Sequence, residues 1–372
     1  MRSDVIVIGG GMVGAAIAYG LVRVGASVRL LDEGDTAFRA ARGNFGLTWV
    51  QTKGLGNQPY FELTRSSVDG WGDFASELTE TSGVNLAFRR DGGLIVCIGD
   101  EEADERKRYI DRFKQQAGNE NYDCRFIDRK ELQDLFPNAK PGARVTGASF
   151  SPMDGHVNPL FLLRAMSGAF RKLGGSTHSG HAVRQITPTD GGFEVSSDSQ
   201  VFHAGKVMIA AGLGTEHLAR MVDLDVPVRP QRGQVLVTER TKPIFPLPMS
   251  GLRQTEEGTV MIGATREDVG FDTGTTVTGF AGMTQRAIET FPVLKQLRLV
   301  RGWGALRVLT PDGGPVYTES ASHPGAYVAT CHSGVTLAAM HANLLPEWVL
   351  EGRASSALET FGPERFHVQP AA

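Results

Sequence analysis

Two groups of residues in this sequence have the types and spacing to do chemistry. Gly9-x-Gly11-x-x-Gly14 lies between a β-branched run and an apolar helix pattern, and Asp32 closes the next apolar run, followed by Glu33. Glycines so spaced allow a tight turn, close approach of backbone to a pyrophosphate, and close packing of helix on strand. The helix N-terminus then offers N–H donors and a positive dipole end. An acid about 20 residues further on is placed for ribose hydroxyls. The pattern predicts a dinucleotide site and leaves NAD and FAD open. The second group centres on Arg307, the one charge in the glycine-rich, apolar GALRVL before the turn Thr310–Gly314. A guanidinium stays charged, so burial requires an anion or several carbonyls around it. A substrate carboxylate, backbone carbonyls and Asp312 are the candidate partners.

The elements that must position these residues follow from periodicity. Asp4–Ile8 is a predicted buried strand, Met12–Val24 a helix apolar nearly all round, Gly25 its stop, and Ser27–Leu31 a second strand, together one βαβ unit. The uncharged stretch Val5–Val22 has the hydropathy of a membrane span or signal segment, but Gly9, Gly10, Gly11 and Gly14 within it favour strand, turn and helix. Gln58–Thr79 is predicted as one long helix, Gly92–Ile98 as a strand, and Glu101–Ala117 and Asp128–Phe136 as helices. Asn158-Pro159 opens a helix to about Leu173. His178–Val183, Phe193–Ser196 and Lys206–Ala210 are predicted strands. A β-rich block covers Pro227–Ala264, with helices at Phe280–Thr290 and Val335–Glu351.

Composition narrows the function classes. A chain of 372 residues suits one large or two interleaved domains. A net charge of -3 gives no reason to expect nucleic acid or an anionic membrane as partner. Cys97, Cys124 and Cys331 form no C-x-x-C pair, which argues against a disulfide framework or zinc site and fits a cytoplasmic protein. His178-x-x-His181 has no acid or cysteine at ligand spacing, so no metal is assigned.

From residue 4 to about 355 the chain resembles the D-amino-acid oxidase superfamily, with the layout of glycine and sarcosine oxidases. The motifs are Gly9–Gly14 with Asp32, Arg39–Leu47 (RAARGNFGL), Gly147–Phe150 (GASF), Gly155–Pro159 (GHVNP), Ile209–Gly212 (IAAG) and Arg229–Gln234 (RPQRGQ). The resemblance implies an α/β fold in which a Rossmann-like FAD-binding domain (residues 1–88, 145–220 and 305–360) is interleaved with a β-rich substrate domain (89–144 and 221–304). It implies FAD contacts at Gly9, Gly11, Met12, Val13, Gly14, Asp32, Glu33, Arg39, Ala41, Arg42, Gly43, Asn44, Gly46, Leu47, Val183, Ala211, Gly212, Gly304, Ser333, Gly334, Val335 and Thr336. Monomeric sarcosine oxidases anchor FAD on a cysteine just ahead of a T-P-D turn. The matching position here is about Ala305, and no histidine lies between residues 33 and 50, so the resemblance implies non-covalent FAD.

More narrowly, Arg42–Gly46 (RGNFG) and Ala329–Leu337 (ATCHSGVTL) resemble the β subunits of opine oxidases and of D-hydroxyproline dehydrogenase. Those relatives imply a heteromer whose other FAD or Fe–S subunits carry electrons onward. The implied reaction moves a hydride from a substrate α-carbon to flavin N5. Arg307 matches the position that grips the α-carboxylate, a task suited to bidentate guanidinium geometry. Gly334 is expected to precede a helix whose dipole faces the flavin, and His332 to donate to flavin or face substrate, or to be structural. Phe45 is a further candidate at the substrate. Glycine oxidase carries a tyrosine where this chain has Gly251, and Arg253 is expected on the same strand face, suiting an opine with a second anion. Solvation of Arg253 at the surface is the alternative. Two other readings keep the fold: oxidation of a 2-hydroxy acid, and a non-catalytic FAD electron-relay subunit.

Overall fold

Ser3–Ile8 becomes the centre of an eight-stranded sheet in the computed structural model, which describes residues 2–34, 40–118 and 121–366. Its six-strand path runs Val316–Glu319, Ala326–Thr330, Val201–Ile209, Ser3–Ile8, Val28–Asp32 and Ser176–Ser179. Every neighbour pair is parallel except the outermost Val316–Glu319. A hairpin, Val183–Thr189 with Gly192–Ser197, pairs onto Val201–Ile209. Parallel strands are covered on both faces, which explains why Val5, Ile6 and Val7 are all fully buried. The helix Met12–Arg23 is buried nearly all round, and this burial within the protein accounts for its membrane-like hydropathy. A side chain at Gly20 would meet the Ala342 carbonyl at 2.2 Å, so glycine lets this helix cross Ala338–Glu351 closely.

A second layer is antiparallel. Leu252–Gln254, Thr259–Gly263, Arg229–Arg240 and Leu299–Leu309 form one sheet in that order. Gly93–Ile98, Val145–Ser151 and Arg125–Asp128 form another. Leu94, Ile127, Leu236, Val260 and Ile262 join a core closed by Phe136, Phe245 and Phe291. The strand Leu299–Leu309 runs unbroken past residue 305 and pairs along its length with Arg229–Arg240. Val145–Ser151 likewise pairs with Gly93–Ile98.

Three expected elements are corrected. The single helix over Gln58–Thr79 is two, Gln58–Asp69 and Trp71–Ser82, joined at Gly70, which turns Trp71 into the core. The strand over His178–Val183 breaks at Gly180, where φ is +78°. The closing α-helix begins at Ala338, after a turn in which Leu337 N donates to Ser333 O.

Candidate active site

Both groups singled out in the sequence converge at the C-terminal ends of the parallel strands. A cavity of about 270 Å³ there is lined by Gly9, Gly11, Met12, Val13, Asp32, Glu33, Ala41, Asn44, Val183, Ala211, Gly212 and Gly334. Asp32 Oδ2 accepts from Gly10 N at 2.7 Å and Oδ1 from Gly34 N at 2.8 Å, fixing the acid against the glycine turn. The glycines divide their work. A side chain at Gly11 would meet nothing within 4 Å, which leaves backbone open to a ligand, whereas one at Gly14 would meet Gly9 O at 1.9 Å. Gly14 therefore serves helix-to-strand packing. Gly46, at φ +81°, also packs on protein, since a Cβ there would lie 2.3 Å from Val157 O. Arg39 lies outside the described residues, as does the Arg42 side chain.

A second cavity, about 550 Å³, meets the first at Ala40, Asn44, Val308, Cys331 and His332. Gly43, Phe45, Leu47, Ser333, Val335 and Thr336 line it together with Arg307. The joined space runs from an acid and open glycine backbone to a broad chamber whose largely apolar wall carries cations. Such a shape fits a dinucleotide that carries a large redox ring. Cys331 lines both parts, and burial pushes its thiol up to about 12. A thiol that stays protonated is a poor nucleophile.

Arg307 finds carbonyls and no carboxylate among the described residues. Its Nη2 donates to Thr265 O at 2.9 Å and Nη1 to Arg232 O at 3.2 Å. Asp312 pairs instead with Arg365, Nε to Oδ2 at 2.8 Å. Gly233 lies under the guanidinium, and a Cβ there would come within 2.7 Å of it. Burial, then the neighbouring Arg266 charge, lowers the proton affinity of Arg307, with Glu267 opposing. His332 is pushed down to about 3 by burial and by Lys53, Arg307 and Arg266, so its ring is neutral.

Lys53 and Arg266 also line this chamber and were not singled out from the sequence. They sit in a turn and a loop, TKG and TRED, with no local periodicity to mark them; only the meeting of distant segments does. Burial brings Lys53 down to about 8, with Arg266 and Arg307 adding to the fall. The turn bearing Lys53 is held from below by the fully buried Asp154. Its Oδ1 accepts from Val50 N at 2.6 Å and its Oδ2 from Gln51 Nε2 at 2.6 Å. Across the chamber, Tyr60 Oη and Ser333 Oγ share a hydrogen bond of 2.8 Å.

Other expected residues are not brought to this chamber. Arg253 is 3 % exposed and lines an adjoining cavity with Trp303 and Gly304. Its contacts there are His156 Nδ1 at 3.3 Å, Val157 O at 3.5 Å and Met261 Sδ at 3.0 Å, and its Nε has no partner among the described residues. Gly251 lines a fourth cavity with Ser250 and Arg266. The expected shared face of Gly251 and Arg253 is thus corrected: the strand begins at Leu252, and alternation does not carry back to residue 251. Gly304 is tight because a Cβ would meet Thr273 O at 2.6 Å, so it makes room for backbone. The helix dipole expected just after Gly334 starts four residues later, and the turn Ser333–Leu337 faces the cavity in its place.

The fold is of the glycine oxidase type. The chain belongs to the DAO family, described as FAD dependent oxidoreductase, which it matches over residues 4–348. FAD is its cofactor. Among curated relatives it is 36 % identical to an opine oxidase subunit of Agrobacterium tumefaciens, over 99 % of each chain. The corresponding protein of Rhizobium meliloti is 35 % identical with the same coverage. Glycine oxidase from Geobacillus kaustophilus shares the fold at a TM-score of 0.88, with 23 % identity over 97 % of this chain and 98 % of that one. No helix among the described residues is long and apolar enough to cross a membrane.

Proposed function

We propose that this chain oxidises the C–N bond of a secondary amino acid of the opine or D-hydroxyproline type, as the catalytic β-type subunit of a heteromeric oxidase or dehydrogenase. The observation that carries this reading is Arg307, a cation whose hydrogen-bond partners among the described residues are carbonyls, lining a chamber continuous with the nucleotide cavity. FAD, when bound, accepts the hydride that leaves the substrate α-carbon. Gly9, Gly11 and Asp32 would hold its nucleotide end, and Asn44, Leu47 and the turn Ser333–Thr336 its ring. The buried thiol of Cys331 and the alanine at 305 favour non-covalent attachment.

Within the chamber, Arg307 would receive the α-carboxylate in bidentate fashion and so fix the α-carbon. The carbonyls of Arg232 and Thr265 orient that guanidinium without neutralising it. Neutral His332 is suited to hydrogen bonding and not to charge. Phe45 supplies an apolar wall. The relatives at 35–36 % identity are opine oxidase subunits, which supports both the opine class and a partner chain. The test is anaerobic reduction of the bound flavin by a panel of opines, cyclic amino acids and 2-hydroxy acids. Arg307→Met is expected to retain FAD and to slow reduction by about a hundredfold or more, since charge-assisted pairs in water-poor sites carry that much. Loss of FAD from that variant would make Arg307 structural, and reduction by hydroxy acids alone would move the substrate class.

A further inference from the structure

Among the described residues the chamber wall carries three cations, Lys53, Arg266 and Arg307, and no aspartate or glutamate. They arrive from three separate segments: the turn after Leu47–Thr48, the loop after Thr259–Gly263, and the strand Leu299–Leu309. The Lys53 and Arg266 side chains have neither hydrogen bond nor ion pair among the described residues. They are nevertheless close enough to act on one another, because Arg266 and Arg307 both depress Lys53, and Arg266 depresses Arg307. Glu267 behind Arg307 and Asp154 beneath Lys53 act on the cluster from outside the chamber, and neither carboxylate bonds to a cation there. Like charges gathered without a bonded counter-ion cost free energy, and a site keeps them when a ligand supplies the opposite charge. One carboxylate on Arg307 would leave two cations uncompensated. Arg266 also stands where the chamber opens into the cavity of about 560 Å³ behind Ser250, Gly251 and Ala264, which leaves room for a substituent beyond the amine.

We infer that this site selects a substrate with two carboxylates flanking the amine, Arg307 holding one and Arg266 the other. The inference rests on the amino-acid reading above and names Arg266, in place of Arg253, as the second clamp. Arg253 faces a different cavity and cannot serve both roles from there. Lys53 adds a charge felt by either carboxylate. A substrate of one carboxylate would bind with its amine less well fixed, so the second clamp contributes to orientation as well as affinity.

A matched pair tests this: an N-(1-carboxyethyl) amino acid and its N-ethyl analogue, which differ by one carboxylate. With the FAD-loaded protein, flavin reduction rates and dissociation constants from flavin absorbance are measured for wild type, Arg266→Met and Arg266→Lys. We expect wild type to favour the dicarboxylate by about tenfold or more, mainly through KM and Kd, and Arg266→Met to remove most of that preference while Arg266→Lys restores part. Equal handling of the pair by wild type, or an unchanged ratio in Arg266→Met, overturns the inference. If neither compound reduces the flavin, the amine-oxidation reading fails by itself. The dissociation constants then still decide the clamp: an Arg266→Met value for the dicarboxylate equal to wild type overturns it.

Discussion

The two ends of the joined cavity are built on opposite plans. The nucleotide end is made of backbone and one acid: Gly11 leaves the main chain bare, Gly9 packs its turn on the Ala210 carbonyl, and Asp32 is locked by Gly10 N and Gly34 N. The chamber at the other end is made of side chains, three of them cationic, with no acid in its wall among the described residues. The glycine turn and the acid of the first end lie between residues 9 and 34, although 181–184, 210–218 and 329–334 complete its wall, whereas the second draws all of its cations, Lys53, Arg266 and Arg307, from segments far apart in the chain. A cofactor common to many proteins can be met by a local motif. A particular substrate is met by side chains that only packing assembles.

The largest expected effect tests the local end. Gly14→Val places a side chain whose Cβ would lie 1.9 Å from Gly9 O, a clash with rigid backbone. The expected result is loss of FAD or of folded protein, read from the flavin absorbance of the purified chain; normal FAD content would show that the helix does not need glycine there.

A smaller effect separates the two ends. Gly233→Ala puts its Cβ within 2.8 Å of the Arg307 guanidinium, the movable end of a flexible side chain. The protein should fold and keep FAD, while kcat/KM falls by about ten- to a hundredfold, the scale of a displacement near 1 Å. Unchanged kinetics would mean that Arg307 need not occupy its observed place.

The smallest effect is a pH dependence confined to the substrate end. Lys53, brought down to about 8, is charged below that pH and neutral above it. Affinity for a dicarboxylate should therefore weaken several-fold as pH rises through about 8, the size of one partly screened charge. Lys53→Met should flatten that step, which flavin-absorbance titrations at pH 6.5–9.5 would show. A step that survives the substitution belongs to another group.

Much of the fold was legible because its signals are local. The βαβ unit, the N-cap Asn158 with Pro159, and the β-rich block all rest on neighbours in sequence, and Asn158 Oδ1 does accept from Leu160 N and Phe161 N. The expected helix at 58–79 failed because Gly70 interrupts a pattern whose apolar period continues on both sides. Arg253 was placed by strand alternation, a rule that needs the strand to begin earlier than Leu252. Asp154 gave no sign of its role, because a lone acid in a turn looks the same whether it is solvated or holds up the Lys53 turn from 0 % exposure.

By itself, then, the sequence determined the dinucleotide cradle, the alternation of strand and helix around it, and Arg307 as a charge in need of a partner. These are consequences of chain geometry over a few residues: glycine conformational freedom, helix and strand periods, and the permanence of a guanidinium charge. Only the tertiary structure decided that Asp312 goes to Arg365, that Arg253 turns to another cavity, and that Lys53 and Arg266 join Arg307. Those outcomes depend on which distant strands pair. The register that sets Gly233 opposite Ala305 and Gln231 opposite Arg307 is chosen by burial across a whole sheet, and no short stretch of sequence contains it.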